Sequence, residues 1–464
     1  MTPVRRWWLP AVLGVLSLCS GALALSEPVV LASAVPAAPP KVPVLSVRRV
    51  PVVLSGAIAD ARLRSRLDAA LADPAYRRSC LSVDRDGRRL YDVRPDERLI
   101  PASNLKLLTG FAALTRLGRE ARYTTEARST RPPSNGVLDG DLFLVGGGDP
   151  LLGTADYAAT FRNQPQVFTP LERLADEIKA QGITTVTGVV RGDESRYDRQ
   201  RYIPTWKPGY RADGEIGPQS ALVVNDGFAA FGARTQPAPA PATHAAAVLV
   251  ALLQARGVTV AGGAGEGRAE AGPTVARLDS PPMRDVVAQM LRESDNMTAE
   301  LLVKELGHRF GGDGSTEAGL RVIRETVAAA GLPAEPLALF DGSGLDRGDR
   351  ATCRVLIESV ARDGPTGALA AGMPVAAQDG TLARRFQNHP AAGRLRAKTG
   401  SLDNVASLSG WMNPPAATPD GPRLAFALVA NDFGRDAVGR ALQEAVAAAL
   451  AAYPEAPKPE ELRP

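Results

Sequence analysis

Residues 395–412, "LRAKTGSLDNVASLSGWM", predict two neighbouring strands joined by a tight turn. The runs Leu395–Leu402 and Val405–Met412 both have the length of ordinary strands, and Asp403-Asn404 between them favours a turn. Such a pair must bury at least one face against other elements, so the rest of the chain has to supply partners for it.

The partners come from both ends of the chain. Arg423–Asn431 is a third strand candidate near the end, and an amphipathic helix follows at Arg435–Tyr453. Near the front, "SCLSVDRDGRRLYDV" alternates around Asp84–Gly87 and predicts a hairpin of two strands. Two strands from the front and three from the back would complete one five-stranded antiparallel sheet with helices on both faces, an α/β (α+β) fold. This arrangement requires the chain ends to meet.

A second unit lies between these strands, at 124–281, where the composition shifts to Gly, Thr and Val with several short strands. It carries a faint repeat, since "LADEIKAQGITTVTG" and "VLVALLQARGVTVAG" both run helix, glycine, Thr/Val strand. We therefore expect a large inserted domain at 124–281 that divides the main domain into 51–123 and 282–455.

The first 24 residues have the pattern of an export signal: Arg5 and Arg6, the apolar run Trp7–Leu18, and a small-x-small site that ends at Ala24. Residues 25–50 are a Pro/Ala-rich tether, and 456–464 are a similar tail. We expect an exported, extracytoplasmic protein of the cell envelope or one that is secreted, with an uncleaved signal anchor as the alternative.

The sequence leaves open whether Cys80 and Cys353 pair.

The chain has 464 residues, a net charge of +4 and a pI near 9.0, but its basic residues are scattered. A nucleic-acid partner is therefore not expected. With three histidines there is little material for a metal centre, and we expect no metal and no organic cofactor.

Residues 101–118, "PASNLKLLTGFAALTRLG", place Ser103 and Lys106 three residues apart at the start of an apolar, helix-like run. On a helix, positions i and i+3 share a face, so the amine would reach the hydroxyl. Only seven of the 54 basic residues are lysines. A buried lysine, unlike an arginine, can lose its proton and act as a base.

Two further motifs occur in order after the first. "RESDNMTAELL" contains Ser294-Asp295-Asn296 at a turn between two helical stretches, and "RAKTGSL" places Lys398-Thr399-Gly400 on the predicted strand. Together with Ser-x-x-Lys these form the motif set of penicillin-binding proteins and class A β-lactamases.

The chemistry of these side chains predicts their roles. Lys106 would accept the Ser103 proton, Ser294 would relay it toward the leaving amine, and Asn296 would hold the substrate amide and help orient Lys106. Lys398 and Thr399 would bind the substrate's terminal carboxylate. Gly400 would let substrate lie along the strand as an added β-strand. The N–H groups of Ser103 and Ser401 are the expected oxyanion hole.

The chain resembles the D-alanyl-D-alanine carboxypeptidase/endopeptidase family, the class C low-molecular-mass penicillin-binding proteins. The resemblance covers nearly all of the mature chain. Further stretches that carry it are "DGDLFLVGGGDPLL", "GDESRYDRQRY", "GPQSALVVNDG", "DGSGLDRGDR" and "AAQDGTLARRF". In that family a large insertion separates the first two motifs. The resemblance implies a penicillin-binding, β-lactamase-like fold, peptidoglycan stem peptides as substrates, cleavage of D-Ala-D-Ala bonds or cross-links, and acylation of Ser103 by β-lactams.

Two alternatives share the motifs. A class A β-lactamase would carry a Glu-x-x-x-Asn pattern between the second and third motifs, but no asparagine occurs between Asn296 and Asn388. A non-catalytic β-lactam or cell-wall binding module would need acylation without turnover.

Trp206 and Tyr210 fit a substrate groove and ordinary packing equally well. Asp341–Leu345 has the features of a tight turn, and its match to the family hints at packing rather than catalysis.

Overall fold

The computed structural model describes residues 51–232, 235–415 and 419–455, with side chains from residue 56 onward. The predicted signal peptide, the tether and the tail lie outside these ranges. Within the described residues, no helix has the length and apolar character needed to cross a membrane.

The strands of the described residues, in chain order, are β1 Ser79–Arg85, β2 Arg88–Val93, β3 Thr124–Ser129, β4 Val137–Leu138, β5 Leu142–Val145, β6 Leu152–Gly153, β7 Thr169–Pro170, β8 Thr185–Val186, β9 Val190–Asp193, β10 Phe228–Ala230, β11 Gln236–Pro237, β12 Thr259–Val260, β13 Ala264–Glu266, β14 Thr274–Asp279, β15 Leu395–Leu402, β16 Val405–Met412 and β17 Leu424–Asn431.

The α-helices are α1 Pro51–Ala70, α2 Lys106–Arg116, α3 Ala155–Ala158, α4 Leu171–Ala180, α5 Gly209–Ala212, α6 Pro241–Gln254, α7 Met283–Glu293, α8 Asn296–Leu306, α9 Thr316–Ala329, α10 Cys353–Asp363, α11 Ala368–Gly372 and α12 Asp436–Ala451. Short 3-10 turns lie at Pro74–Tyr76, Ala102–Leu105, Asn225–Gly227 and Gly380–Leu382, and a π-helical turn follows α8 at Gly307–Gly311.

The predicted five-stranded sheet is present, in the order β15-β16-β17-β1-β2, and its pairs are antiparallel. The front and back of the chain meet where β1 pairs with β17, with Ser79 opposite Ala430. The prediction is confirmed, with the third strand starting one residue later than expected and the final helix two residues shorter at its end. β15 is an edge strand; its first residues pair with residues 374–376, and the outer edge beyond Ala397 is free to face a ligand.

Each face of this sheet is buried against helices. Leu81 and Val83 of β1 belong to an apolar cluster with residues of α1 and α12. Cys80 points to the opposite face, into a cluster formed with α2, α7, α8 and α10. Alternate side chains along a strand point to opposite faces, and this produces the two layers. Helix α2 is buried along its length from Lys106 to Leu114.

Cys80 and Cys353 form a disulfide that joins β1 to α10, which settles the pairing that the sequence left open. The two cysteines are 273 residues apart in the chain, on opposite sides of the 124–281 segment. The bond therefore ties the front of the main sheet to a helix contributed by the back of the chain.

The 124–281 segment builds its own sheet, in the order β13-β9-β5-β3-β14, and a smaller sheet, β12-β8-β4. The faint repeat has a structural counterpart, because α4-β8-β9 and α6-β12-β13 follow the same course and their strands pair in parallel. Gly182 and Gly257 end the two helices with φ of +78° and +72°, a conformation that favours glycine. The domain boundaries at 51–123, 124–281 and 282–455 stay a prediction.

Candidate active site

A cleft of about 650 Å³ runs along the free edge of β15. It brings together residues from all three motifs: Ser103 of the first, Ser294 and Asn296 of the second, and Thr399 and Gly400 of the third, with Ser401 next to them. The opposite wall comes from the 124–281 segment, through residues 207–215. The cleft is therefore shared between the main sheet and the inserted segment.

Ser103 lies on the 3-10 turn Ala102–Leu105, immediately before α2, and not on the α-helix itself as its spacing predicted. Ala102 has φ of +47°, which is uncommon for a residue with a Cβ, and it delays the start of regular helix until Lys106. Asn104, in the amide orientation that satisfies both of its polar atoms, donates to the Lys398 carbonyl oxygen (2.8 Å) and accepts from the Leu408 N–H (3.0 Å). The turn is thus attached to β15 and β16.

The Lys106 side chain has no solvent exposure, and its amine meets three oxygens. Nζ lies 3.0 Å from Ser103 Oγ, 2.7 Å from Asn296 Oδ1 and 2.7 Å from the Ser343 carbonyl oxygen. Burial lowers the pKa of Lys106 to about 8, and negative charge on nearby carboxyl groups, Asp341 first, limits the fall. The predicted contact between Ser103 and a buried amine is present.

The loop at 341–345 positions the Lys106 amine. Glu300 Oε1 accepts from the N–H groups of Gly342 (3.0 Å) and Ser343 (2.8 Å), and this holds the Ser343 carbonyl oxygen toward the amine. Asp341 accepts from the Gly344 N–H (2.7 Å) and, through its other oxygen, from Trp206 Nε1 (2.8 Å). The sequence indicated packing rather than catalysis for this loop, and the structure adds that one of its carbonyl groups contacts the Lys106 amine directly.

The second motif lies where α7 ends and α8 begins. Ser294 has φ of +63° and terminates α7, and Asp295 caps α8 by accepting from the Thr298 N–H (3.1 Å). Asn296 donates through Nδ2 to the Glu215 carbonyl oxygen (2.9 Å), which leaves Oδ1 directed at Lys106. A backbone group of the inserted segment therefore determines which way this amide faces.

In the third motif, Lys398 is also fully buried. Its amine donates to Ser294 Oγ (2.8 Å) and to the Thr399 carbonyl oxygen (2.7 Å). Burial lowers the pKa of Lys398 well below its ordinary value, and the positive charge of Lys106 adds to the fall. The Thr399 hydroxyl lies on the cleft side and donates to Thr381 Oγ1 (2.9 Å).

Gly400 has a packing reason to be glycine that the sequence did not predict, and its expected role beside the substrate stays a prediction. A Cβ at this position would lie 2.2 Å from Ser407 Oγ, 3.0 Å from the Pro101 carbonyl oxygen and 3.1 Å from the Ser103 nitrogen. The position therefore faces inward, onto the serine turn. Gly344 approaches the same turn from the other side, since its φ is +83° and a Cβ on it would lie only 2.0 Å from the Ala102 carbonyl oxygen. Two glycines thus permit close packing around Ser103.

The sequence left open whether Trp206 and Tyr210 line a substrate groove or only pack, and the structure gives the two residues different positions. Trp206 is buried and hydrogen-bonded to Asp341, so it belongs to the packing around the site. Tyr210 lines the cleft, and its hydroxyl donates to the Leu345 carbonyl oxygen (3.2 Å). Beside it, Lys207 forms an exposed ion pair with Asp403 (2.6 Å), which links the inserted segment to the β15–β16 turn.

A match to a model of the D-Ala-D-Ala carboxypeptidase 3 (S13) family covers residues 63–239 and 233–453. The chain belongs to this family. It is accordingly a serine peptidase, a hydrolase, as the motifs predicted.

Relatives and solved structures agree with this family. A carboxypeptidase DacB from Mycolicibacterium smegmatis is 32% identical, over 90% of each chain. A D-alanyl-D-alanine carboxypeptidase from an Actinomadura species is 29% identical, over 86% of this chain and 87% of the relative. Penicillin binding protein 4 of Haemophilus influenzae has a similar fold, with a TM-score of 0.67 at 19% identity, over 82% of this chain and 97% of that one. The predicted penicillin-binding fold is confirmed.

Sequence reasoning missed the residues that hold the motif side chains. Glu300 could have been found, because it lies four residues after Asn296 and so on the same face of α8. The carbonyl groups of Glu215 and Ser343 could not, since any residue type supplies a carbonyl oxygen. Thr381 lies within "AAQDGTLARRF", a stretch that resembles the family but to which the sequence assigned no role.

Proposed function

We propose that this chain cleaves the terminal D-Ala-D-Ala bond, or D-Ala cross-links, of peptidoglycan peptides through an ester on Ser103. The observation that carries the proposal is the buried Lys106 amine, 3.0 Å from Ser103 Oγ. Its other two neighbours, Asn296 Oδ1 and the Ser343 carbonyl oxygen, can only accept hydrogen bonds. A neutral amine would give its two N–H groups to these acceptors and keep its lone pair for the serine proton.

The reaction starts with transfer of the Ser103 proton to the Lys106 amine as Oγ attacks the carbonyl carbon of the penultimate D-Ala. Burial brings the pKa of Lys106 to about 8, so the neutral amine is accessible near neutral pH. The C–N bond then breaks, and the proton passes through Ser294 to the leaving amine. Water hydrolyses the resulting Ser103 ester, with the proton returned to the serine oxygen.

The remaining motif residues bind and orient the substrate. Asn296 binds the substrate amide and also orients the Lys106 amine. The N–H groups of Ser103 and Ser401 stabilise the oxyanion, and this assignment is supported by the position of Ser401 on the cleft side of an edge strand. We assign the terminal carboxylate of the substrate to Thr399, which lines the cleft, and to Lys398, which is buried behind it.

We infer β-lactam acylation of the same serine, since the Haemophilus influenzae protein has been solved in complex with a β-lactam. We further propose export through the N-terminal signal, cleaved near Ala24, and a loose association with the cell wall or membrane. Whether carboxypeptidase or endopeptidase cleavage dominates depends on how the cleft receives the leaving group.

The test is intact-mass spectrometry after incubation with benzylpenicillin, with a peptide map of any adduct, alongside an assay for released D-Ala. The parent chain should gain one adduct on the peptide that contains Ser103 and should release D-Ala from a D-Ala-D-Ala peptide. Ser103→Ala should do neither. Ser134→Ala, at an exposed position outside the cleft lining, is the matched control and should behave as the parent.

Each other result contradicts a specific part of the proposal. An adduct on Ser103→Ala would show that the nucleophile is a different residue. Rapid penicillin hydrolysis without a lasting adduct and without D-Ala release would favour a β-lactamase. A stable adduct with no D-Ala release from any peptide would favour the binding module.

A further inference from the structure

Two carboxyl groups lie side by side close to the Lys106 amine, on the loop that begins at Asp341. They belong to Asp341 and Asp349, and both residues are fully buried. The charge of Asp341 acts on Lys106, but none of the roles described above involves Asp349. Two neighbouring carboxyl groups that are buried cannot both be ionised without a large cost, so their protonation states must differ.

Asp341 is the acceptor of this pair. Its Oδ1 accepts a hydrogen bond from the Gly344 N–H (2.7 Å). Its Oδ2 accepts from the Asp346 N–H (2.7 Å) and from Trp206 Nε1 (2.8 Å). Three donors directed at one carboxyl group stabilise its ionised form, so Asp341 is the carboxylate of the pair.

Asp349 has fewer donors around it. Its Oδ1 accepts from the Phe340 N–H (2.8 Å), whereas its Oδ2 is buried and receives no hydrogen bond from the residues that the structure describes. The group within hydrogen-bonding reach of this carboxyl is Asp341, which is itself an acceptor. Two acceptors can form a hydrogen bond only if one of them carries a proton, and the carboxyl with fewer donors is the one that keeps it.

No cation compensates a charge on Asp349. Within the described part of the chain its carboxyl group forms no salt bridge. Arg350, the next residue, directs Nη1 to the backbone carbonyl oxygens of Asp349 (2.7 Å) and Arg347 (2.8 Å). The nearest guanidinium therefore binds the backbone and leaves the carboxyl group without a counter-charge.

The charges that face Asp349 also favour its neutral form. Asp341 and Asp346 act on it from its own loop. Glu300 of α8 and the Lys106 amine of α2 interact with Asp341 from the neighbouring helices. Burial raises the pKa of Asp349 well above its ordinary value, and the negative charge of Asp341 adds to the rise.

We propose that Asp349 is a positioning residue that works as the neutral acid, donating a hydrogen bond from Oδ2 to Asp341 and so holding the 341–345 loop against the Lys106 amine. The Ser343 carbonyl oxygen of this loop lies 2.7 Å from Lys106 Nζ, so the position of the loop determines how the base is held. The inference rests on the proposed role of Lys106 as base, and it adds a residue that supports this role without touching substrate.

The first test compares urea unfolding of the parent, Asp349→Asn and Asp341→Asn at about pH 5 and about pH 8, both above the ordinary pKa of an aspartate. An amide at position 349 can accept from the Phe340 N–H and donate to Asp341, as the neutral acid does. The parent loses stability as pH rises toward the raised pKa of Asp349, because the unfolded chain releases that proton at lower pH. The asparagine has no such proton, so the advantage of Asp349→Asn over the parent in urea midpoint should increase between the two pH values.

Asp341→Asn is the matched variant on the other member of the pair. It should lower the urea midpoint at both pH values, because its amide nitrogen would replace an oxygen that accepts hydrogen bonds. A difference between Asp349→Asn and the parent that stays the same at both pH values would overturn the proposal, since Asp349 would then hold no proton. Tolerance of asparagine at position 341 with a loss at position 349 would place the proton on Asp341 and would also contradict it.

The second test measures acylation by benzylpenicillin at about pH 6.5, below the pKa of Lys106. Asp349→Asn should react within about two-fold of the parent, because neither the charge nor the hydrogen bond changes. Asp349→Ala should react about ten-fold more slowly, because the loop loses a buried donor.

The acylation rates separate this role from the alternatives. If Asp349 were ionised in the parent, Asp349→Asn would lower the pKa of Lys106 and speed the reaction, about ten-fold for a shift of one unit, which would contradict the neutral acid. An unchanged rate in Asp349→Ala would remove the positioning role. A parent that is not acylated at all would be a failure of the proposed function, and the urea comparison would still show where the proton lies.

Discussion

The two sides of the cleft each contain a fully buried lysine, and the surroundings of the two amines differ. On the helical side, Lys106 lies among three oxygens, with the carboxyl groups of Asp341 and Glu300 close enough to raise its pKa. On the strand side, Lys398 contacts one hydroxyl and one carbonyl group, and Lys106 is the charged neighbour that acts on it. Burial lowers both pKa values, but only Lys106 has acidic groups that oppose the fall.

This difference shows that burial alone does not assign a role to a lysine. A base must release and accept a proton during one reaction cycle, so its pKa has to lie near the working pH. The carboxyl groups behind the 341–345 loop keep the pKa of Lys106 at about 8, in that range. No acidic group opposes the fall in the pKa of Lys398, and its amine donates hydrogen bonds to Ser294 Oγ and the Thr399 carbonyl oxygen.

The largest effect is expected from removing the base on the helical side. Lys106→Arg should lower the rate of acylation by benzylpenicillin about 10²- to 10⁴-fold, because a guanidinium keeps its proton and cannot accept one from Ser103. The rate of adduct formation by mass spectrometry measures the loss. Lys179→Arg, on helix α4 away from the cleft, is the control, and an acylation rate in Lys106→Arg equal to that of the parent would contradict the base assignment.

A smaller effect is expected from changing the charge behind the base. Acylation should speed up as pH rises through the pKa of Lys106, about 8, because the neutral amine then predominates. The carboxylate of Glu300 raises this pKa, so Glu300→Gln should move the rise to lower pH by roughly one unit. The glutamine oxygen can still accept from the Gly342 and Ser343 N–H groups, which preserves the loop.

The measurement for Glu300 is the acylation rate constant across neutral and alkaline pH. Well above pH 8 Lys106 is neutral in both proteins, so the two rates should converge there and differ most around the midpoint of the parent profile. Glu317→Gln, on the exposed side of α9, should leave the profile unchanged. A midpoint that does not move in Glu300→Gln would refute the proposed tuning.

The smallest effect on activity is expected from the bond that joins the two sides. Cys80→Ala combined with Cys353→Ala removes the link between β1 and α10, and the free energy of unfolding should fall by about 2–5 kcal/mol. The acylation rate of the folded protein should change less than about two-fold, because the cysteines touch none of the motif side chains. Urea unfolding and adduct formation measure the two quantities, and a large loss of acylation with the fold intact would mean that the disulfide shapes the cleft.

The fold and the site differ in how far the sequence predicted them. The three strands from the back of the chain were predicted to within one residue, and the front hairpin and the turn that carries Ser294 were predicted without exact bounds. These features depend on patterns among neighbouring residues, such as alternation and turn-forming pairs, which are visible in the sequence. The inward orientation of Gly400 was not predicted, because it depends on Ser407 and on the turn at Pro101, which lies far away along the chain.

By itself the sequence determined which strands form the main sheet, the three motifs and the family. The tertiary structure decided which groups hold the Lys106 amine, since Asn296 and Ser343 lie 190 and 237 residues further along the chain. It also decided that the two cysteines pair, that the Lys398 amine turns inward, and that Asp349 faces Asp341. Protonation and charge pairing depend on burial and on distances between remote segments, and those are set only when the chain packs.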